Sequence, residues 1–252
     1  MDSHAAAPPL RAVILAAGDG GRLGHFTAHF PKPLVPVGGR PLVSYTLDAL
    51  AAAGISDVLV VTGYREEQVR DALAEAPGSI RISFASNPHF DRGASLSLLA
   101  ARPFCGEDPF LLLMADHLFS PELLTSLMAA WTPGGPCLVA SDSSVRDPAY
   151  VDEATRLALD PGPAGTPRPV SAIGKGLAPY DALDAGAFVV QPGTWAVLDA
   201  IPEDCELSDI GRELIRRQML AAADVSGSFW YDVDTPDDLA AAEALLATAG
   251  GR

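Results

Sequence analysis

Short apolar runs alternate with amphipathic stretches through the first half of the chain, and the runs have strand rather than helix length. Residues 12–15 form the first run and residues 57–61, closed by Gly63, the second. Residues 110–114, Phe-Leu-Leu-Leu-Met, can only be a buried strand, and residues 80–85 alternate as a half-buried strand does. Between them lie helical spacings at residues 42–53, stopped by Gly54, and at residues 66–76 and 96–101. Repeated strand–helix–strand units predict an α/β fold, a parallel sheet covered by helices on both faces. Ligands then sit at the carboxyl ends of the strands.

The second half is more broken. Ser120 is the expected cap of a helix beginning near Pro121. After Thr132-Pro133-Gly134-Gly135-Pro136 a strand resumes at residues 137–140, a Pro/Gly-rich loop spans 161–169, and residues 187–190 read as strand. Ser208 is expected to cap a further helix. Phe229-Trp230-Tyr231 runs as a strand into Asp232, and Thr235-Pro236 opens a helix with Asp237 and Asp238 in its first turn, where the helix dipole favours acids.

Candidate chemistry gathers at the first strand's end. Residues 16–23, Ala-Ala-Gly-Asp-Gly-Gly-Arg-Leu, carry side chains too small to block close approach, so bare backbone N–H groups can wrap a polyphosphate. Such loops also serve as plain turns, and the loop alone is weak. Pro31-Lys32-Pro33 strengthens it, since a lysine between two prolines has a stiff backbone and no packing task. Leu15, Ala16, Ala17, Gly18, Gly20 and Gly21 are thus candidate nucleotide-binding residues, with Arg22 and Lys32 as cations beside them.

Asp116, followed by His117, comes directly after the strand at 110–114, where a carboxylate can hold magnesium against phosphate oxygens. Capping the helix at Pro121 is the rival role, which Ser120 fits better. Asp232 and Asp234 alternate on a strand and share one face. Lys175 lies between glycines with reach for an anion. Asp184 either binds a ligand or fixes the turn into the next strand.

Composition narrows the class. A chain of 252 residues admits one large domain or two small ones. No linker-like stretch divides it, so a disordered tail over 1–10 and a single domain over 11–252 are expected. A formal net charge of −15 disfavours nucleic acid and anionic membrane as partners. No apolar run approaches the roughly 18 residues of a membrane span. Met1 to Pro9 has neither the basic start nor the apolar core of a signal peptide. Cys105, Cys137 and Cys205 are unpaired in spacing, which argues against a disulfide framework or structural zinc and fits a reducing cytoplasm.

Residues 13–23 with 31–42 resemble the opening of nucleotidyltransferases that join a nucleoside monophosphate to a small phosphorylated molecule and release pyrophosphate. Residues 152–157, matched to a short strand pair, with 170–177 and 180–188, resemble the CTP:inositol-1-phosphate cytidylyltransferases and related phosphonate cytidylyltransferases more than the sugar branch. The resemblance runs from about Arg11 to about Leu246. It implies a Rossmann-like nucleotidyltransferase fold of GT-A type with a mostly parallel mixed sheet. It implies Mg2+ as cofactor, and CTP plus a small phosphate or phosphonate, inositol-1-phosphate or a two-carbon phosphonate, as substrates.

By the same resemblance Asp116 and Asp234 hold the metal with Asp232 in support, and Arg22, Lys32 and Lys175 are the catalytic cations. Gly63, Asn87, Gly93 and Ser95 fall where the family reads base and ribose, though Ser95 serves equally well as a helix cap. Lys175 and Asp184 fall at the acceptor, with Asp209 nearby. The family usually has Asp-Thr-Gly where this chain has Asp184-Ala185-Gly186, so any contact of that threonine hydroxyl is missing. A homodimer is admitted but not indicated. Three alternatives stand beside this reading: a sugar-1-phosphate nucleotidyltransferase, a molybdopterin-type nucleotidyltransferase, and a non-catalytic nucleotide sensor. The stretch Pro31 to Val37 fits the small-molecule branch better than the molybdopterin type.

Overall fold

The run after Leu10 becomes β1 (Arg11–Ala16), and its alternation splits the interior in two. Ala12, Ile14 and Ala16 enter one apolar cluster, and Val13 and Leu15 enter the other. A strand buried on both faces needs no polar alternation, which is why this one reads as a continuous run. The computed structural model describes residues 10–74, 79–144, 151 and 153–249. The expected tail at 1–10 and Asp152 therefore lie outside the described residues, apart from Leu10.

Twelve further strands follow: β2 (Pro36–Val37), β3 (Arg40–Pro41), β4 (Asp57–Thr62), β5 (Arg81–Ser86), β6 (Phe110–Met114), β7 (His117–Phe119), β8 (Cys137–Asp142), β9 (Thr155–Leu159), β10 (Arg168–Lys175), β11 (Ala182–Val190), β12 (Leu220–Asp224) and β13 (Trp230–Asp232). Nine of the thirteen strands form one sheet in the order β5-β4-β1-β6-β11-β8-β12-β10-β9. β1 pairs in parallel with β4 and β6, β4 with β5, and β8 with β12. β11 runs antiparallel to β6 and β8, and β10 antiparallel to β12 and β9. The strand–helix–strand pattern alone predicts a parallel sheet; the reversed pair makes it mixed.

Helices cover both faces. Leu42–Ala52, Glu66–Ala74 and Pro121–Ala130 pack into the first cluster, while Ala94–Cys105, Thr194–Leu198 and Leu207–Arg216 pack into the second. The helix expected at 96–101 starts at Ala94, and Arg168 and Pro169, expected in a loop, begin β10. Ser120 caps its helix as expected by accepting from Leu123 N at 3.3 Å. The helix at 207 is capped by Glu206, not Ser208: Glu206 and Asp209 exchange side-chain and backbone bonds in a capping box. Among the described residues no helix is long and apolar enough to cross a membrane.

A third, smaller cluster mounts the loops. Leu23, Val35, Val37, Leu42, Leu118, Val233, Leu239 and Ala242 pack together. They tie the glycine-rich loop, the lysine-bearing segment, the short β7–β13 ladder and the last helix, Pro236–Ala249, together beside the loops that follow β1 and β6.

Candidate active site

β6 ends at Met114, and the chain turns through Ala115 and Asp116 into β7. β7 pairs antiparallel with β13, placing His117 opposite Asp232, and Val233 N donates to Asp116 O at 2.8 Å. That ladder brings Asp116 and Asp234 together from 118 residues apart by sequence number. Lys32 Nζ closes the arrangement, donating to Asp116 Oδ2 at 2.8 Å and to Asp234 Oδ1 at 2.6 Å. Arg22 pairs with Asp234 Oδ2 at 2.7 Å. His117 Nδ1 lies 2.7 Å from Asp116 Oδ1.

The stem of Lys32 lies against Gly20, where φ is +67° and a Cβ would come within 2.7 Å of Lys32 Cβ. Glycine is required there on both counts. Burial works against the charges of Lys32 and Asp116. The Lys32 ammonium and the His117 ring nevertheless hold Asp116 well below the usual carboxylate range, and Asp116 and Asp234 hold Lys32 above its ordinary value. For His117, too, burial opposes the charged form, but Asp116, with Asp232 and Asp184 facing it, raises its affinity for a proton.

Two cavities adjoin at Met114. One, of about 460 Å³, is walled by Leu15, Ala16, Ala17, Gly18, Lys32, Gly93 and Asp116, with Asp19, Phe90, Asp91, Ser97 and Glu206 around it. The other, of about 220 Å³, opens beside Asp234, Asp232, His117, Asp184 and Lys175 and deepens onto an apolar floor that includes Leu112, Phe188 and Leu220. One aspartate of the pair faces each cavity, and Lys32, on the wall of the larger, bridges the two carboxylates. Residues 12–204 match the MobA-like NTP transferase domain.

The chain belongs to that nucleotidyltransferase family.

Among curated relatives, the bifunctional IPC transferase and DIPP synthase of Rubrobacter xylanophilus is 35% identical over 241 residues, covering 93% of this chain and 51% of that protein. The CMP-5'-(3-aminopropyl)phosphonate synthase of Streptomyces rubellomurinus is 42% identical over 125 residues, 49% of this chain and 20% of that one. The chain thus spans about half the length, or less, of these relatives. In fold it matches the inositol-1-phosphate CTP transferase from T. maritima with TM-score 0.79 and 22% identity, covering 96% of each chain. A UDP-glucose pyrophosphorylase complexed with UDP-glucose gives TM-score 0.82 at 17% identity, covering 96% of this chain and 99% of that one. The expected Rossmann-like nucleotidyltransferase fold is therefore the fold of this chain.

Several predicted site residues are brought together: Arg22, Lys32, Asp116 and Asp234 in contact, Leu15 to Gly18 and Gly93 along the first cavity, and Lys175, Asp184 and Asp232 along the second. Others have structural partners instead. Ser95 is fully buried; its hydroxyl donates to Glu203 O at 2.5 Å and accepts from Cys205 N at 3.1 Å. It neither lines the cavity nor caps the helix, whose cap position is Gly93. Asn87, 3% exposed, donates to Ser97 Oγ in the following helix at 2.9 Å and accepts from His89 N in its own loop at 3.0 Å. Gly63 allows backbone packing, since a Cβ there would come within 2.9 Å of both Ala17 Cβ and Ala17 O. Asp209 belongs to the capping box and to an ion pair with Arg212, and it lines a separate surface depression. Gly21 lies at the start of the 3-10 turn that carries Arg22.

Asp184 accepts from Gly186 N at 2.9 Å at the irregularity in β11, and it also lines the second cavity. Burial, with Asp232 nearby, pushes its pKa up to about 6 against the pull of the Gly186 N–H and His117. Met114 and Glu206 on the cavity walls were not foreseeable, being an ordinary strand residue and an ordinary helix acid by pattern.

Among the described residues no group of three or more His, Cys, Asp or Glu side chains could hold a metal ion by itself. The donor set nevertheless fits Mg2+ bound with a triphosphate: two hard carboxylates facing one point, already occupied by an ammonium, with phosphate and water oxygens to complete the shell.

Proposed function

We propose that this chain is a Mg2+-dependent cytidylyltransferase that moves CMP from CTP to a small phosphate or phosphonate and releases pyrophosphate. The observation that carries the reading is the Lys32 bridge between Asp116 and Asp234, set where the two cavities adjoin. The larger cavity suits the nucleotide, because its floor is the small-residue loop from Ala16 to Gly18 at the carboxyl end of β1. The smaller suits the acceptor, because it places Lys175 at an exposed rim and Asp184 on the wall.

The loop amides and Lys32 would cradle the β and γ groups, and Arg22 would follow them. An acceptor oxygen, already anionic, attacks the α-phosphorus in line; the new O–P bond forms as the bond to the β-phosphate oxygen breaks, and pyrophosphate departs. No general base is required. Magnesium, held by Asp116 and Asp234 with Asp232 in support, supplies neutralisation of the phosphate charge when bound. The chain's own share is positioning and fixed positive charge. Cytosine as the base and inositol-1-phosphate as acceptor are supported by the likeness to the inositol-1-phosphate CTP transferase, and a phosphonate as acceptor by the likeness to the CMP-5'-(3-aminopropyl)phosphonate synthase, whose phosphonate carries a three-carbon chain where the sequence reading expects two.

The experiment crosses each nucleoside triphosphate with inositol-1-phosphate, glucose-1-phosphate, phosphocholine, 2-hydroxyethylphosphonate and 2-aminoethylphosphonate, and reads pyrophosphate release with Mg2+. Turnover with CTP and inositol-1-phosphate or a phosphonate supports the reading. Preference for UTP or a purine triphosphate, or for glucose-1-phosphate, overturns it in favour of the sugar branch.

A further inference from the structure

All four oxygens of the aspartate pair already have a nitrogen partner: Asp116 Oδ1 with His117, Asp116 Oδ2 and Asp234 Oδ1 with Lys32, and Asp234 Oδ2 with Arg22. The Lys32 side chain is 13% exposed, and that of Arg22, at 57%, stands largely in solvent. The chain holds 17 lysines and arginines, and only two of them, Lys32 and Lys175, are lysines. Where arginine serves nearly everywhere else, a lysine lies between the carboxylates. A compact ammonium on a flexible stem fits one point between two carboxylates and can leave it; a planar guanidinium would lock onto one of them.

We infer that Lys32 is a resident counter-ion holding the place of a divalent metal between Asp116 and Asp234, so that metal enters only together with a triphosphate, whose oxygens draw Lys32 away. This rests on the reading that a metal-bound triphosphate occupies the larger cavity. Without such an occupant, the pair is neutralised and a free divalent ion must compete with a bonded ammonium. With one, Lys32 changes partner from carboxylate to phosphate, and the oxygens facing its former position open.

The test is Mn2+ binding without nucleotide, followed by the electron paramagnetic resonance signal of the free ion. Lys32→Met and Lys32→Gln are expected to bind Mn2+ about tenfold or more tightly than the wild type, on the scale of removing one unit charge a few ångströms away. The gain should vanish when Asp234→Asn is added. Arg81→Met, an equal change of charge at a remote exposed site, should give none. Affinities within about twofold across wild type and both Lys32 variants would overturn the inference.

If the variants fail to fold, the wild type decides. Because there are only two lysines, 13Cε-lysine labelling gives two assignable signals. The Lys32 signal should stay in place with Mg2+ alone and shift with Mg2+ and CTP. A saturable shift with Mg2+ alone would overturn the inference. Absence of any response to CTP, with Mg2+ alone shifting neither signal, would instead sink both the nucleotide reading and the inference that rests on it, whereas a CTP response without the metal order described sinks only the latter.

Discussion

The imidazole of His117 fills the space where a side chain on residue 186 would begin, and a Cβ built on Gly186 would collide with Nε2. Gly186 has φ +75°, a conformation that side-chain-bearing residues rarely hold, at the break in register of β11 between Asp184 and Phe188. The bend therefore seats the ring, and the ring's other nitrogen holds Asp116. Gly186→Ala is expected to cost about 1–3 kcal/mol of stability through backbone strain. By shifting His117 it should also lower kcat by about 10²-fold, as small misplacements near reacting groups do. Thermal melts and steady-state kinetics on the same preparation check both.

Lys32→Ala is expected to lower turnover by about 10²–10³, the scale for removing one charge-stabilising donor. The loss should fall on kcat more than on the KM for CTP. A folded variant that kept wild-type kcat would remove Lys32 from the chemistry.

Asp184 carries a pH signature of unusual sign. Its native pKa is pushed up to about 6 by burial, so the folded chain keeps the proton at a pH where the unfolded chain has released it. Ionising the group in place is costly, and its contribution to stability therefore declines as pH rises from about 4 to about 6, then stays flat. Asp184→Asn should raise the melting temperature at pH 8, worth about 1–3 kcal/mol, and leave it nearly unchanged at pH 4. The same variant should raise KM for the acceptor and leave that for CTP alone. Asp116 shows the opposite sign: its depressed value stabilises the fold above the normal carboxylate range, and that stabilisation is lost as pH falls.

Ser95→Ala tests the reassignment of that hydroxyl. It loses two part-buried hydrogen bonds, to the Glu203 carbonyl and from the Cys205 N–H, at about 0.5–1.5 kcal/mol each. KM for CTP should stay within about twofold. A large rise in that KM without loss of stability would return Ser95 to the nucleotide site.

What the sequence made readable follows from where the decisive forces act. β1 and β6 are legible because a strand buried on both faces must be apolar throughout, and Asp116 because it stands at the end of such a strand. Lys32 is legible through its flanking prolines. The structural partners of Ser95 and Asn87 are ones the local pattern cannot show; the acceptor of the Ser95 hydroxyl lies 108 residues away. The capping box of Asp209 escapes the sequence for a nearer reason: a box built on Glu206 is a rarer choice than one built on serine, and Ser208 stands two residues on. The reversal of β11 has no local signature at all, since an apolar strand reads alike in either direction.

The ladder between β7 and β13 has a consequence for the order in which the molecule becomes competent. None of the nine strands of the large sheet extends beyond Asp224, yet Asp234 reaches Lys32 only after the closing segment has paired with β7. Contacts between distant parts of a chain form late because the intervening loop must close first. In refolding from denaturant, recovery of pyrophosphate release should accordingly lag recovery of secondary structure, so that a newly made chain is a folded sheet before it is a catalyst.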